Sequence, residues 1–315
     1  MKTIVSKTHD EWLKSRNGGI GSSEVGTILG LNPYETPYQL WLKKTGRVEV
    51  VERENFLMKA GHYLEDAISR FYADEAGVEI VKSSAREFVV VDKERPFMRV
   101  SPDRYAYPVG VRKSLSNKMI VECKSTQKPV TYDDLPKSWF VQLSYQMGVC
   151  HIEQGALAWL ISGREFGYRN FKHNPDFFAW IMEEVERFWM DCVVGGQEPA
   201  LISVSDVLAK YPKHESGKTV SASIEVYEKW QELCATNAEI KRLSSLKEEL
   251  ESAIKLELGD AESLVSPEDA RTLVTWKSGK DKSVFDGKRF EADNPDLYAK
   301  YLVAKPGSRV FLCKN

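Results

Sequence analysis

Hydrophobic residues recur with two different spacings along the first two thirds of the chain. Over Phe56–Phe71 they follow the spacing of a helix, and Gly77 marks its predicted end. Short apolar runs with the composition of strands occur at Phe88–Val91, Phe97–Val100 and Ile120–Lys124. Helical and strand patterns in one stretch of chain predict an α/β fold.

The pattern changes after Gly195–Pro199. From Ser223 to Leu258, apolar residues are spaced for one amphipathic helix, about 50 Å long if it is continuous. Thr272–Lys277 and Ser308–Leu312 have the composition of strands and predict a terminal hairpin. We therefore predict three regions: a core of residues 1–200, an acidic helical arm of residues 201–270 and a basic hairpin segment of residues 271–315.

Composition allows one large domain with an accessory region. The chain has 315 residues, of which 42% are hydrophobic and 11% aromatic, enough for a sizeable core. The formal net charge of −2 excludes a uniformly basic DNA-coating protein. Charge is instead segregated: residues 99–137 contain eight basic and four acidic residues, whereas residues 222–270 contain five and twelve. The first segment suits a phosphate backbone, and the acidic arm should avoid DNA and pack on the body or a neighbouring subunit.

The cysteines and the N-terminal segment indicate a cytoplasmic protein. Five cysteines are scattered without C-x-x-C spacing, which argues against a zinc site or an iron–sulfur cluster and for a reducing compartment. The N-terminal segment is polar and charged, and no long uncharged run could span a bilayer. We expect a cytoplasmic location and no membrane partner.

The candidate chemistry lies in three short motifs that contain acidic residues. Glu122 and Lys124 point to one side of their predicted strand, because side chains two residues apart share a face. Asp103 falls just past a strand end, and Glu65 flanks the apolar stripe of the predicted helix. Clustered carboxylates suit one or two Mg²⁺ or Mn²⁺ ions, and we expect Cys123 to offer its backbone carbonyl rather than its sulfur. Such ions stabilise charge on the attacking and leaving oxygens of a phosphodiester.

Each motif also has an ordinary structural explanation. A Glu-x-Lys pair on a strand is commonly a surface ion pair of little energetic consequence. Pro-Asp is frequent in turns, and a glutamate on a helix is usually solvated. The order of the three motifs, with agreeing strand and helix contexts, favours the metal-site interpretation.

A second cluster near the N-terminus suits an anion. Ser22 and Ser23 precede a predicted short helix, Glu24–Leu29, and we expect these serines to cap its free N–H groups. A helix start attracts phosphate, and Arg16 could add a bidentate contact. The alternative is an ordinary capped helix beside a solvated arginine.

These segments together resemble the YqaJ-type viral recombinase family and the related lambda phage exonuclease family, both in the PD-(D/E)xK nuclease superfamily. The resemblance covers about two thirds of the chain and implies a mixed central sheet flanked by helices, to which the arm and hairpin are appended. It is carried by six motifs: Trp12–Arg16, Gly19–Val25, Gly61–Glu65, Ser101–Asp103, Glu122–Lys124 and Val141–Met147.

The resemblance implies a catalytic set, which consists of Glu65, Asp103, Glu122, Lys124 and Gln142. Asp103 and Glu122 would bind the metal directly, with the Cys123 carbonyl beside them. Glu65 would be a further ligand of the metal or of the water, and Lys124 would orient the water. Gln146 of the same helical motif is the alternative to the glutamine of this set.

The resemblance also implies a pocket for a terminal 5′-phosphate. Arg16, Ser22 and Ser23 would line this pocket, and Arg47 matches a family position near it. Arg104 replaces the glycine that many relatives have after the metal-binding aspartate, and we group it with the DNA-binding residues.

The implied function is a metal-dependent 5′→3′ exonuclease acting on duplex DNA ends. It would degrade the 5′-phosphorylated strand and leave a 3′ overhang for a single-strand-annealing or RecA-type recombinase, and its relatives suggest a ring-shaped homotrimer. Two alternatives stay open at this point. One is a structure- or sequence-specific endonuclease with the same metals, and the other is a non-catalytic DNA-end-binding scaffold for a recombinase.

Overall fold

The computed structural model describes residues 1–48, 56–81, 88–304 and 307–314. The chain forms two compact units, Met1–Lys210 and Tyr211–Asn315. Across the described residues, no helix is both long enough and apolar enough to cross a membrane.

The first unit is a mixed α/β structure. Its strands are β1 (Lys2–Val5), β2 (Ile20–Gly21), β3 (Val78–Val81), β4 (Phe88–Val91), β5 (Met98–Val100), β6 (Arg104–Pro108), β7 (Met119–Thr126), β8 (Gln154–Ile161) and β9 (Glu165–Lys172). Its helices are α1 (His9–Asn17), α2 (Ser22–Ile28), α3 (Pro37–Lys44), α4 (Phe56–Ala76), α5 (Lys137–Cys150), α6 (Pro175–Arg187) and α7 (Val204–Lys210), with a 3₁₀ turn at Leu115–Asn117 and a π-helical segment at Phe188–Val194.

The central sheet has five strands in the order β3-β6-β7-β8-β9. β6 and β7 are antiparallel, with Arg104 opposite Val121, whereas β7 and β8 are parallel because α5 forms the crossover between them. A second sheet has the order β1-β4-β5-β2, in which the strands predicted at Phe88–Val91 and Phe97–Val100 are present as β4 and β5 and pair antiparallel. The expected mixed sheet flanked by helices is confirmed.

Strand β7 divides the core into two clusters. Ile120 is fully buried in the cluster that includes the apolar residues of α5, such as Leu143. Val121 and Cys123 lie in the other cluster, together with Ile68 of α4. The predicted alternation along this strand is confirmed, and the face that carries Glu122 and Lys124 is therefore the face covered by α5.

The second unit is built around one long helix, α8 (Ile224–Leu258). The hydroxyl of Ser223 caps its N-terminus by accepting a hydrogen bond from the N–H of Val226, and Gly259 at φ 57° ends it. The predicted long helix is confirmed. Two short strands, β10 (Ser263–Val265) and β11 (Thr272–Thr275), and two short helices, α9 (Gly287–Asp293) and α10 (Pro295–Tyr301), follow it.

The hairpin of this unit differs from the prediction in its pairing. The strand expected at Thr272–Lys277 is present as β11, but its antiparallel partner is β10. The prediction of a strand at Ser308–Leu312 is wrong, because this segment has no strand structure. A short connection joins β10 to β11, so local pairing costs less chain entropy than closing a loop to the distant segment.

Candidate active site

Asp103 directly precedes β6 and reaches across to β7. The β6–β7 ladder ends at Arg104 and Val121, so the backbone of Cys123 lies beyond it. The N–H of Cys123 donates to Oδ2 of Asp103 at 2.8 Å. In a strand, the N–H and C=O of one residue point to the same side, so the Cys123 carbonyl also faces Asp103.

Glu122, on β7, is buried and held by three donors. Its Oε1 accepts hydrogen bonds from Nζ of Lys124 at 2.8 Å and from Nε2 of Gln142 at 2.6 Å. Its Oε2 accepts from Nε2 of Gln146 at 2.8 Å. The Lys124 ammonium also donates to Oε1 of Gln142 at 2.8 Å, which fixes the orientation of this amide. The structure therefore brings Glu122, Lys124 and both candidate glutamines together.

The two glutamines have different surroundings, although they lie four residues apart on one face of α5. Gln142 contacts both members of the Glu-x-Lys pair. Gln146 is fully buried, and its Nε2 also lies 3.2 Å from Oγ of Ser22, at the start of α2. Its Oε1 is buried without a hydrogen-bond partner among the described residues. Gln146 thus connects the carboxylate of Glu122 to the N-terminal segment of the chain.

Burial and neighbouring charge shift the acid–base properties of this centre. Burial raises the pKa of Asp103 well above its ordinary value, and repulsion from Glu122 and Glu65 adds to this, partly opposed by Lys124. Burial works to lower the pKa of Lys124, but the carboxylates of Glu122 and Asp103 outweigh it, so the pKa is raised and the ammonium keeps its charge. Burial, reinforced by the nearby carboxylates, raises the pKa of the Cys123 thiol and keeps it neutral.

Glu65 lies at the edge of this centre, where other groups hold it. Its Oε1 is 3.0 Å from Nδ1 of His62, and its Oε2 is 3.5 Å from Nη1 of Arg104. Arg104 also donates to Oδ1 of Asp66 at 2.7 Å and to the carbonyl of Asp103 at 2.6 Å. Arg104 is therefore paired with the carboxylates of α4.

The donor atoms at the end of β6 and β7 fit a hard divalent cation. Asp103, Glu122 and the Cys123 carbonyl provide oxygen only, the preferred ligand of Mg²⁺ and Mn²⁺. An ionised carboxylate has about four acceptor positions. Glu122 uses two on Oε1 and one on Oε2, which leaves one on Oε2 for an ion. Within the part of the chain that the structure describes, no three acidic, histidine or cysteine side chains form a group that could hold a metal, so Glu65 as a third ligand stays a prediction.

One cavity of about 170 Å³ joins this centre to the predicted phosphate pocket. Arg16, Ser22 and Ser23 line it together with Asp103 and Gln142. Nη2 of Arg16 donates to Oγ of Ser23 at 2.8 Å. The two functional clusters, far apart in the sequence, therefore share one solvent space.

Two residues predicted to bind DNA do not belong to the lining of this cavity: Arg47 and Arg104. The guanidinium of Arg47 stacks over the ring of Trp41 at 4.2 Å and pairs with Glu198 at 3.7 Å. Carboxylates thus pair with both arginines, and Arg47 is half exposed outside the cavity.

The expectation that Ser22 and Ser23 cap α2 is wrong. The N-cap is Gly21, whose N–H donates to Oε2 of Glu24 at 2.8 Å. The serine hydroxyls instead accept from Gln146 and Arg16. Glu24 thus satisfies the N–H of the N-cap residue, while Ser22 and Ser23 line the cavity.

Among the residues that line the cavity, sequence reasoning missed three with charged, imidazole or hydroxyl side chains: His62, Arg99 and Ser101. Ser101 and His62 lie inside two of the six motifs, and this position could have identified them as candidate site residues. Arg99 belongs to no motif, and its only signal was its place at the start of the basic segment of residues 99–137.

Comparison with known proteins identifies relatives of this chain. The family model for the YqaJ-like viral recombinase domain matches residues 11–153, which include every predicted site residue. The protein YqaJ of Bacillus subtilis (strain 168) is 31% identical over 304 residues, which cover 93% of this chain and 90% of that protein.

Two solved structures are also similar. An alkaline exonuclease from Laribacter hongkongensis has 14% identity and a TM-score of 0.44, over 59% of this chain and 93% of that chain. A phage-related exonuclease from Haemophilus somnus 129PT has 12% identity and a TM-score of 0.40, over 57% and 96%. The near-complete overlap with the Bacillus protein, and a domain match that spans the whole carboxylate–lysine centre, place this chain in the YqaJ-like viral recombinase family.

Proposed function

We propose that this protein is a divalent-metal-dependent 5′→3′ exonuclease that degrades the 5′-phosphorylated strand of linear duplex DNA. One observation carries the proposal: Asp103 and Gln142 line the same cavity as Arg16, Ser22 and Ser23. A terminal phosphate bound by the arginine and the serines would lie beside the carboxylates, so cleavage would begin at the end of the strand.

The residues of the centre have separable tasks in this proposal. Asp103, Glu122 and the Cys123 carbonyl would hold the ion, which when bound stabilises charge on the attacking and leaving oxygens. Lys124, fixed between Glu122 and Gln142, would orient a water and compensate charge near it. Because nearby carboxylates raise the pKa of Lys124, its ammonium would act here as a hydrogen-bond donor to the water.

The product suggests the biological context. Removal of one strand from its 5′ end leaves a 3′ single strand, which is the substrate of a strand-annealing recombinase. We include such a recombinase as the partner and a homotrimer, as the resemblance implies, and a cytoplasmic location, as the scattered cysteines indicate. Sedimentation velocity of the full chain would test the trimer.

The decisive experiment compares four forms of one duplex: linear with 5′-phosphate, linear with 5′-hydroxyl, nicked circular and covalently closed circular. With Mg²⁺, we expect rapid loss of label from the 5′-phosphorylated linear form and none from the closed circle. Lys124→Ala is the matched control for a contaminating nuclease. Cleavage of closed circles would favour the endonuclease alternative, and tight end binding without any cleavage would favour the scaffold.

A further inference from the structure

We propose that Arg99 is a second phosphate-binding guanidinium of the cavity and that, with Arg16, it sets the preference for 5′-phosphorylated ends. The inference rests on the proposed function and names a specificity residue for it. Arg99 lies on β5 and lines the cavity together with Arg16, Ser22 and Ser23.

The backbone positions Arg99 beside Arg16. Strand β5 pairs in parallel with β2, which places Arg99 opposite Gly21. Nε of Arg99 donates to the carbonyl of Pro96 at 3.0 Å, and Nη1 donates to the carbonyl of Ser15. Ser15 is the residue before Arg16, so the two guanidinium groups are tied to the same turn of chain. A guanidinium has five N–H donors, and these two bonds leave donors for a ligand oxygen.

A glycine makes room for this arrangement. A Cβ at Gly18 would lie 2.8 Å from Nη1 and 2.9 Å from Nη2 of Arg99. Gly18 has φ −73°, a conformation open to any residue, so a side chain here would displace the guanidinium rather than strain the backbone. The end of α1 is thus shaped around the guanidinium.

Arg99 and Arg16 differ from other arginines of this unit in their ion pairing. Arg47, Arg95 and Arg104 each pair with a carboxylate. No carboxylate of the described residues pairs with Arg16 or Arg99. Burial lowers the pKa of Arg99, partly opposed by Tyr145, so its charge is partly desolvated.

The chemistry of the anion that this cavity would bind follows from two guanidinium groups and two hydroxyls. A terminal phosphomonoester has a charge of about −2 above its second pKa of about 6, whereas an internal diester has −1. Planar guanidinium groups bind phosphate oxygens in bidentate geometry. Two of them on one cavity match the dianion better than the diester, which is the discrimination that an end-specific enzyme requires.

The test measures binding rather than cleavage. Fluorescence anisotropy in EDTA compares a labelled duplex with a 5′-phosphate and the same duplex with a 5′-hydroxyl, for the full-length wild-type chain and for Arg99→Gln and Arg99→Lys. We expect the wild type to prefer the phosphorylated end and Arg99→Gln to lose about 10- to 100-fold of that preference. Arg99→Lys should keep part of it. Arg95→Gln, with the same charge change outside the cavity, is the matched control and should bind like the wild type.

Two further measurements keep the result interpretable. Gly18→Ala leaves both charges in place but displaces the guanidinium, and it should also reduce the phosphate preference. Melting curves confirm that each variant is folded. Equal affinity of the wild type for both ends, or an unchanged preference in folded Arg99→Gln and Gly18→Ala, would overturn the inference. If preference depends on Arg99 but Mg²⁺ elicits no cleavage, the inference stands and the exonuclease proposal fails.

Discussion

The side-chain amide of Gln146 lies 2.8 Å from Oε2 of Glu122, the carboxylate oxygen that Lys124 does not contact. The same nitrogen is 3.2 Å from Oγ of Ser22. One amide group therefore connects the candidate metal ligand to the first residue of α2. By occupying one acceptor position on Oε2, Gln146 sets the direction of the other.

Replacing Gln146 with leucine should impair both folding stability and activity. The change leaves Oε2 of the buried Glu122 without its donor, at a cost of about 1–3 kcal/mol in the free energy of unfolding. Urea unfolding and the rate of release of nucleotides from linear duplex would measure the two effects. Gln231→Leu, at an exposed position of α8, is the matched control. A Gln146→Leu protein as stable and as active as the wild type would contradict the positioning role.

Lys124→Ala should bind DNA ends but lose cleavage by about 10²- to 10⁴-fold, the usual contribution of one positioned acid–base or water-orienting group. The remaining donors, Gln142 and Gln146, still satisfy Glu122, so the protein should stay folded with a loss of about 1–3 kcal/mol. End-labelled duplex degradation and anisotropy would separate the two properties. Retained cleavage in Lys124→Ala would show that another group orients the attacking water.

Much of the centre could be predicted from local pattern. The period of two along β7 predicts that Ile120 and Val121 enter opposite clusters, and that Glu122 and Lys124 share a face. The helical spacing up to Gly77 predicts α4, whose end Gly77 marks at φ 64°. These features depend on neighbours in sequence, which a single chain displays.

The rest depends on contacts between distant residues. Strand β6, which ends in Pro108, was not predicted. It forms between β3 and β7, and its pairing with these two strands outweighs the low strand propensity of proline. The contact of Gln146 with Ser22 spans 124 residues. No local period indicates any of these contacts.

Arg16→Ala should weaken the preference for 5′-phosphorylated ends while leaving the cleavage centre intact. Arg16 lines the cavity and donates to Ser23, but it contacts none of the carboxylates of the centre. The wild type should cleave 5′-phosphorylated ends clearly faster than 5′-hydroxyl ends. In the variant, the ratio of these two rates should fall to within about threefold of one, because a charge-assisted contact is lost. Arg112→Ala, in an exposed loop, serves as the control.

Arg104→Gln should behave differently from Arg16→Ala. Because Arg104 pairs with Glu65 and Asp66 rather than lining the cavity, its loss should lower cleavage of both kinds of end by the same factor. The salt dependence of DNA binding should stay unchanged, since no phosphate contact is removed. A selective loss on phosphorylated ends, or a reduced salt slope, would restore the DNA-binding role that the sequence suggested for this residue.

The raised pKa of Asp103 gives a stability prediction with a definite sign. Between the ordinary pKa of 3.8 and the higher folded value, the metal-free folded protein holds a proton that the unfolded chain has released. The contribution of this group to stability is therefore complete below the ordinary value, and it is lost as pH rises through the folded pKa. Urea unfolding in EDTA between about pH 4 and pH 8 should show this decline.

Asp103→Asn should remove that decline, because an amide does not titrate and is not repelled by Glu122 and Glu65. Above the raised pKa, the metal-free variant should be more stable than the wild type, although cleavage is lost. Mg²⁺ at about 100 times its dissociation constant should stabilise the wild type by about 2.7 kcal/mol and the variant far less, because Asp103 is a proposed ligand. Asp133→Asn, in an exposed loop, controls for charge alone. Equal stabilisation of Asp103→Asn and the wild type by Mg²⁺ would show that the ion binds elsewhere, and the carboxylates would then have a structural role.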